Sequence, residues 1–192
     1  MQNGEDRNQP YAQDSIAEAL LRLLQSEPFA KLSICRLCQE AHVSRQTFYT
    51  RFGTKEKAMM YALRTTSTYM PSLVTKAGAF DHFKGFCRSY SRYIIDKSWL
   101  LEVLVKNDLM YCLNEMQREC FIECADLFSY VKNEDREYLI DFITGSLCGI
   151  AKTYVLSGCR ASAKELEEII FKLFSGDYFK NVVRDQERAY HN

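Results

Sequence analysis

Apolar positions recur at three- and four-residue intervals along nearly the whole chain. That is the spacing of one helix face, not the alternation of a strand. Ile16, Ala19, Leu20, Leu23 and Leu24 open the pattern, in a helix expected from Asp14 to Glu27. Pro28 ends it, because proline disfavours the helical region for the residue before it. A very short helix fits Ser33 to Glu40, with Ser33 as N-cap and Ile34, Leu37 and Cys38 inward. Ser44 can cap another short helix, closed by Phe48, Tyr49 and Phe52. Gly53 breaks that one, and Thr54 caps a longer helix running to about Met70, before Pro71.

The remainder keeps the helical period. Phe83, Phe86, Tyr90, Tyr93 and Ile94 follow it, as do Leu100, Leu104, Leu109 and Leu113. A further segment from Met116 to about Tyr130 carries Phe121, Ala125 and Phe128. Asp135 can cap a long helix containing Leu139, Phe142, Ile143, Leu147, Ile150, Ala151 and Tyr154, with Gly158 suited to its C-terminal cap. Ser162-Ala163-Lys164-Glu165 is a capping box, opening a helix with Leu166, Ile169, Ile170 and Leu173. The expectation is an all-α chain of about nine helices, with residues 1–11 as a polar leader.

Composition changes little in this picture. The 192 residues are 47% hydrophobic and 26% charged, an ordinary globular balance, and hold only eight glycines and three prolines. No run approaches eighteen uncharged apolar residues, so no membrane span is expected. The polar start, Met1-Gln2-Asn3-Gly4, lacks the apolar core of a secretory signal, so a cytoplasmic location is expected. Eight cysteines in a reducing compartment read as small buried hydrophobes and not as a disulfide scaffold.

Charge changes it more. The net charge is zero, which excludes a uniformly basic coat, yet residues 31–64 carry seven basic side chains against Glu40 and Glu56. That excess falls on the short-helix region. Helix, tight turn and short helix make the geometry of a helix-turn-helix, whose second helix enters the major groove by its N-terminal residues. Here those residues are Ser44, Arg45, Gln46 and Thr47. Arg can pair with guanine O6 and N7, Gln with adenine N6 and N7, and Thr can meet a thymine methyl. Tyr49 and Lys55 suit phosphates, the latter at a helix N-terminus that itself favours an anion.

The run from Ser33 through Ala41-His42-Val43-Ser44, Phe48-Tyr49 and Phe52 to Lys55-Glu56 resembles the DNA-binding domain of the tetracycline-repressor (TetR/AcrR-type) family. The likeness covers about residues 14–63. Three positions depart from the pattern: Cys38 for Ala, His42 for Gly in the turn, and Ala58 for a common Leu. His tolerates the positive φ that such a turn needs better than most side chains. The resemblance implies a helix-turn-helix domain over residues 1–60 and a helical effector-binding and dimerisation domain over 61–192. It implies a homodimer through the last two long helices, about 135–157 and 162–174. It further implies a palindromic double-stranded DNA operator and a small-molecule effector of unknown identity. The candidate DNA contacts are Ser33, Arg36, Ser44, Arg45, Gln46, Thr47, Tyr49 and Lys55.

Other chemistry is poorly supported. Cys35 and Cys38 form a C-x-x-C, but zinc needs two more ligands, and nothing brings Cys120 and Cys124 near. His42, His82 and His191 are scattered, and no nucleophile–base pair or phosphate loop is present, so no catalytic residue, metal or cofactor is expected. Gly145 and Gly149, four apart, leave room for close helix approach, either by a partner subunit or within the chain. The mid-chain aromatics, among them Phe80, Trp99 and Tyr111, do not separate pocket from core. Two other classes remain: a co-regulator controlled by a protein partner, and a helical enzyme or small-molecule-binding protein whose helix-turn-helix is incidental.

Overall fold

The computed structural model describes residues 9–67, 79–123 and 131–176. Among them stand nine α-helices and no strand. The helices are α1 Gln9–Leu23, α2 Ile34–Glu40, α3 Arg45–Arg51, α4 Lys55–Thr66, α5 Ala79–Asp96, α6 Ser98–Lys106, α7 Met110–Glu123, α8 Asn133–Leu156 and α9 Ala163–Phe174. A 3-10 turn, Phe29–Lys31, lies between α1 and α2. The all-α expectation holds. Met1–Asp6, Met70, Pro71, Cys124, Ala125, Phe128, Tyr130 and His191 lie outside the described residues.

The chain forms two compact units. One holds α1–α4, α6 from Trp99, α7, and α8 as far as Lys152; the other holds α5, the last turn of α8 and α9.

In the first unit α1 and α4 pack face to face, and α2, α3 and α7 close over them. Ile16, Ala19 and Leu20 of α1 meet a core that includes Leu37, Phe48, Met59 and Leu63, all fully buried. Each such Leu or Phe contributes about 1.5–3 kcal/mol by leaving water. Tyr61 of α4 donates its hydroxyl hydrogen to Asp14 of α1 at 2.8 Å. Three short caps make this packing possible. The Ser33, Ser44 and Thr54 hydroxyls each accept a backbone N–H from the first turn of α2, α3 and α4.

Several boundaries differ from expectation: α1 ends at Leu23 and not at Glu27, and α4 ends at Thr66, short of Met70, because Ser67 turns extended. α1 begins at Gln9, inside the supposed leader, because Pro10 lies in its first turn, where a backbone N–H would have no helical partner to lose. The turn at Phe29 has no periodic signature. The series from Leu100 to Leu113 is split: α6 ends at Lys106, and Asp108 takes φ 55° while the Leu109 N–H closes on the Leu104 carbonyl at 2.8 Å. No glycine or proline announces that corner. Last, α8 starts at Asn133, which puts Asp135 in its first turn and not at its cap.

α8 has two faces. Ile140, Thr144, Leu147, Ala151 and Tyr154 are buried, a narrow stripe at alternating four- and three-residue steps. Tyr138, Phe142, Gly145, Gly149, Lys152 and Leu156 repeat the same steps on the other side. Tyr138, Phe142 and Leu156 there are 79%, 62% and 67% exposed. By length and composition α8 is apolar enough to cross a membrane, with only 28% of its most apolar window buried.

In the second unit α5 packs along α9. Phe83 meets the Phe171 ring at 5.5 Å and the Phe174 ring at 6.3 Å, and Phe86, Tyr90 and Tyr93 stack in series. The Ser162–Glu165 capping box forms as the sequence predicts. Gly158, at φ 82°, ends α8.

Candidate nucleic-acid interface

α2 and α3 are joined by Ala41–Ser44. His42 sits at φ 54°, the left-handed conformation the turn requires, and the Val43 N–H closes on the Cys38 carbonyl at 3.0 Å. Ser44 then starts α3: its Oγ accepts the Thr47 N–H at 3.0 Å and pairs with the Thr47 hydroxyl at 2.8 Å. The inner side of α3 is fixed by Phe48 and Phe52, both buried.

That anchoring turns the other side outward. Arg45 and Gln46 are exposed, and neither has a hydrogen bond or ion pair among the described residues. Tyr49, one turn on from Arg45, is 49% exposed and held only by an edge contact with Phe48, at 5.7 Å. A guanidinium, a carboxamide and a phenol thus lie together on an unsatisfied helix face. They offer the donor forks that base edges and phosphates accept.

The other candidates are already engaged. Ser33 serves as the α2 cap, accepting the Arg36 N–H at 3.1 Å. The Arg36 side chain lies 3.6 Å from Glu27 and 3.7 Å from Glu40. Exposed pairs of this kind are worth about 0–1 kcal/mol and exchange readily for a phosphate. Lys55 donates to the Phe29 and Leu32 carbonyls, each at 2.7 Å, and rides 4.5 Å above the Phe29 ring. It closes the turn onto the start of α4, and one of its three donors is left. Two exposed cations of the same basic stretch, Lys31 and Lys57, lay outside the candidate set; the local charge excess is the signal that points to them.

Among the described thiols Cys38, Cys87, Cys112 and Cys120 are buried as packing groups, while Cys148 and Cys159 are half-buried. Burial pushes Cys87 up to about 12 and Cys112 up to about 11, far from the thiolate that reacts or binds metal. Cys38 is buried and likewise raised, first by burial and then by Cys35, whereas Cys35 is exposed. Among the described residues no group of three or more metal-binding side chains gathers.

Between α5 and α9 an open cleft of about 530 Å³ is lined by Lys84, Arg88, Lys172, Glu167 and Phe171. Arg88 pairs with Glu167 at 3.4 Å, and the Lys84 ammonium stands 5.8 Å from the Phe171 ring centre. Around Gly145 and Gly149 nothing lies within 4 Å of where a side chain would begin. These glycines therefore serve no close contact among the described residues.

The family described as bacterial regulatory proteins, tetR family, matches residues 16–57, and the transcriptional regulator C-terminal region family matches residues 81–176, half of the chain. Among curated proteins, none matches. Among solved structures, Lin0861 from Listeria innocua is 18% identical with a TM-score of 0.72, covering 94% of this chain and 97% of that one. A TetR-family regulator from Streptomyces coelicolor, SCO0857, is 16% identical with a TM-score of 0.65, covering 88% and 94%. The regulator FadR from Bacillus subtilis, in complex with stearoyl-CoA, is 13% identical with a TM-score of 0.52, covering 83% and 96%. At these identities the likeness concerns the fold.

Proposed function

The chain belongs to the tetR family of bacterial regulatory proteins and is a DNA-binding transcriptional regulator, and we propose that it acts as an effector-controlled repressor, a homodimer on a palindromic operator. The observation that carries the DNA-reading part is the open face of α3. Arg45 and Gln46 stand exposed and unbonded at the start of a helix whose other side is locked by Phe48 and Phe52. Arg45, Gln46 and Thr47 read base edges. Tyr49, Lys55, Ser33, Arg36 and Ser44 hold phosphates or the helix ends that approach them. Residues 1–60 are the DNA-reading part and 61–192 the regulatory part, the latter sharing a compact unit with the former through α6, α7 and most of α8.

The outer face of α8 supports the dimer. Steps of four and three residues are the seam of a left-handed helix pair, crossing at roughly +20°, and two glycines in it permit close approach. The same face accounts for the apolar length of α8 without a bilayer, and the protein works in the cytoplasm beside the chromosome. In this reading α9 also takes part in the dimer, and its Ile169 is 37% exposed. A dimer of this kind reads half-sites about one DNA turn apart. An effector that favours another separation shifts the population away from the DNA-competent state. The α5–α9 cleft has the size of an ordinary ligand pocket and is the candidate effector site. The exposed α8 face also fits a second reading, control by a protein partner seated there.

Light scattering on the purified protein separates the two. The dimer reading expects twice the monomer mass, and Phe142→Asp, which sets a carboxylate in the seam, reduces it to one while helix content stays. A wild type that remains monomeric at micromolar concentration removes the homodimer and leaves α8 to another protein.

A further inference from the structure

The turn at Phe29 is gripped from two directions. On one side Lys55, the first residue of α4, donates to its carbonyl. On the other, Asn107, at the corner between α6 and α7, accepts the Phe29 N–H on its Oδ1 at 2.8 Å, across 78 positions of sequence. The Asn107 amide is itself aimed, because its Nδ2 donates to the Val103 carbonyl of α6 at 2.9 Å. The two bonds fix which end of the amide faces which partner: the oxygen can only accept and the nitrogen only donate. Phe29 is 6% exposed, so its N–H has little water to fall back on. Next to Asn107, Asp108 holds a left-handed conformation that presents the corner.

The Phe29 turn leads into Leu32 and Ser33, the residue that caps α2, and α2 leads through His42 to α3. Whatever fixes the turn fixes the entry angle of the helix-turn-helix. We propose that Asn107 is a positioning residue for DNA recognition: it ties the α1–α2 turn to the α6–α7 corner, and so sets where α3 stands relative to the α8 seam. This rests on the dimeric, two-half-site reading. Arg64 and Glu123, a bidentate pair on the surface, join α4 to α7 instead. The Asn107 bond is part-buried and reaches the turn from the α6–α7 corner, whereas Lys55 reaches it from α4.

The test uses the full chain and an operator recovered from random DNA. Affinity is measured for that site, for versions with the half-sites moved by one base pair, and for non-specific DNA. Asn107→Ala leaves a shielded N–H unpaired. It is expected to lower operator affinity about ten-fold and flatten the spacing preference, with non-specific binding unchanged. Asn107→Asp keeps the acceptor for Phe29 and is expected to retain most of the discrimination. Should the alanine variant fold poorly, Asn107→Gln keeps the chemistry on a longer arm and is expected to shift the preferred spacing. Exchange of the Phe29 amide, followed by NMR, should quicken in Asn107→Ala and not in Asn107→Asp. Folded variants that lose thermal stability yet keep wild-type affinity and spacing preference overturn the proposal. A wild type with no spacing preference is a different result, and overturns the dimeric reading with it.

Discussion

Lys55 carries two tasks on one ammonium. Two donors hold the Phe29 and Leu32 carbonyls, and the third is the one proposed for a DNA phosphate. Lys55→Met should therefore lower thermal stability by about 1–3 kcal/mol, since two carbonyls lose a charged partner. It should also reduce the salt slope of DNA binding by about one counterion. A melt and a salt titration on the same protein read both. Arg45 and Gln46 have no structural task, so Arg45→Ala and Gln46→Ala should leave the melt unchanged. They should change which sequence is preferred, by about 1–3 kcal/mol for each lost bidentate contact, in competition binding. That these side chains face outward was legible in the sequence, because caps and helix spacing fix the register of α3. The second task of Lys55 was not, because it depends on a turn that periodicity does not mark. Asn107 was hidden for the same reason: its partner lies 78 residues away.

At the scale of elements, the caps were the most legible features. Ser33, Ser44, Thr54 and the Ser162–Glu165 box all bond as a local rule requires, because each needs only its own four residues. The corner between α6 and α7 was read through as continuous helix, because leucines on both sides keep the period and the break is made by one aspartate in a left-handed conformation. For α8, spacing placed Leu147, Ala151 and Tyr154 in the buried stripe, missed Ile140 and Thr144, and counted with them Phe142, which is exposed and belongs to the second seam. Gly149 probes that seam with opposite signs. In a helix face open to water, Gly149→Ala should stabilise by about 0.5–1 kcal/mol. In a closely packed seam the added methyl should instead weaken the dimer. The account expects the second result, seen as a rise in the dimer dissociation constant by sedimentation.

Two carboxylates, one in each compact unit, make the molecule sensitive to acid. Glu123 is held below the usual carboxylate range by its hydrogen bond from Arg64, and Glu165 by the backbone N–H and hydroxyl of Ser162. Both carboxylates are more acidic folded than unfolded. Their contribution is therefore complete above the unfolded value, about 4.3, and is lost as pH falls through the lower folded value. The melting temperature should drop below about pH 4. Arg64→Met should remove the Glu123 part of that drop while leaving the neutral-pH fold intact.

The same scale holds the central claim, that a pair of α3 helices reads DNA at a separation set through α8. Selection of bound fragments from a random DNA pool, at physiological salt, tests it most directly. The account predicts an enriched palindrome with half-sites about one DNA turn apart. A folded dimer that enriches no sequence, or enriches a lone half-site with no preferred spacing, would contradict it.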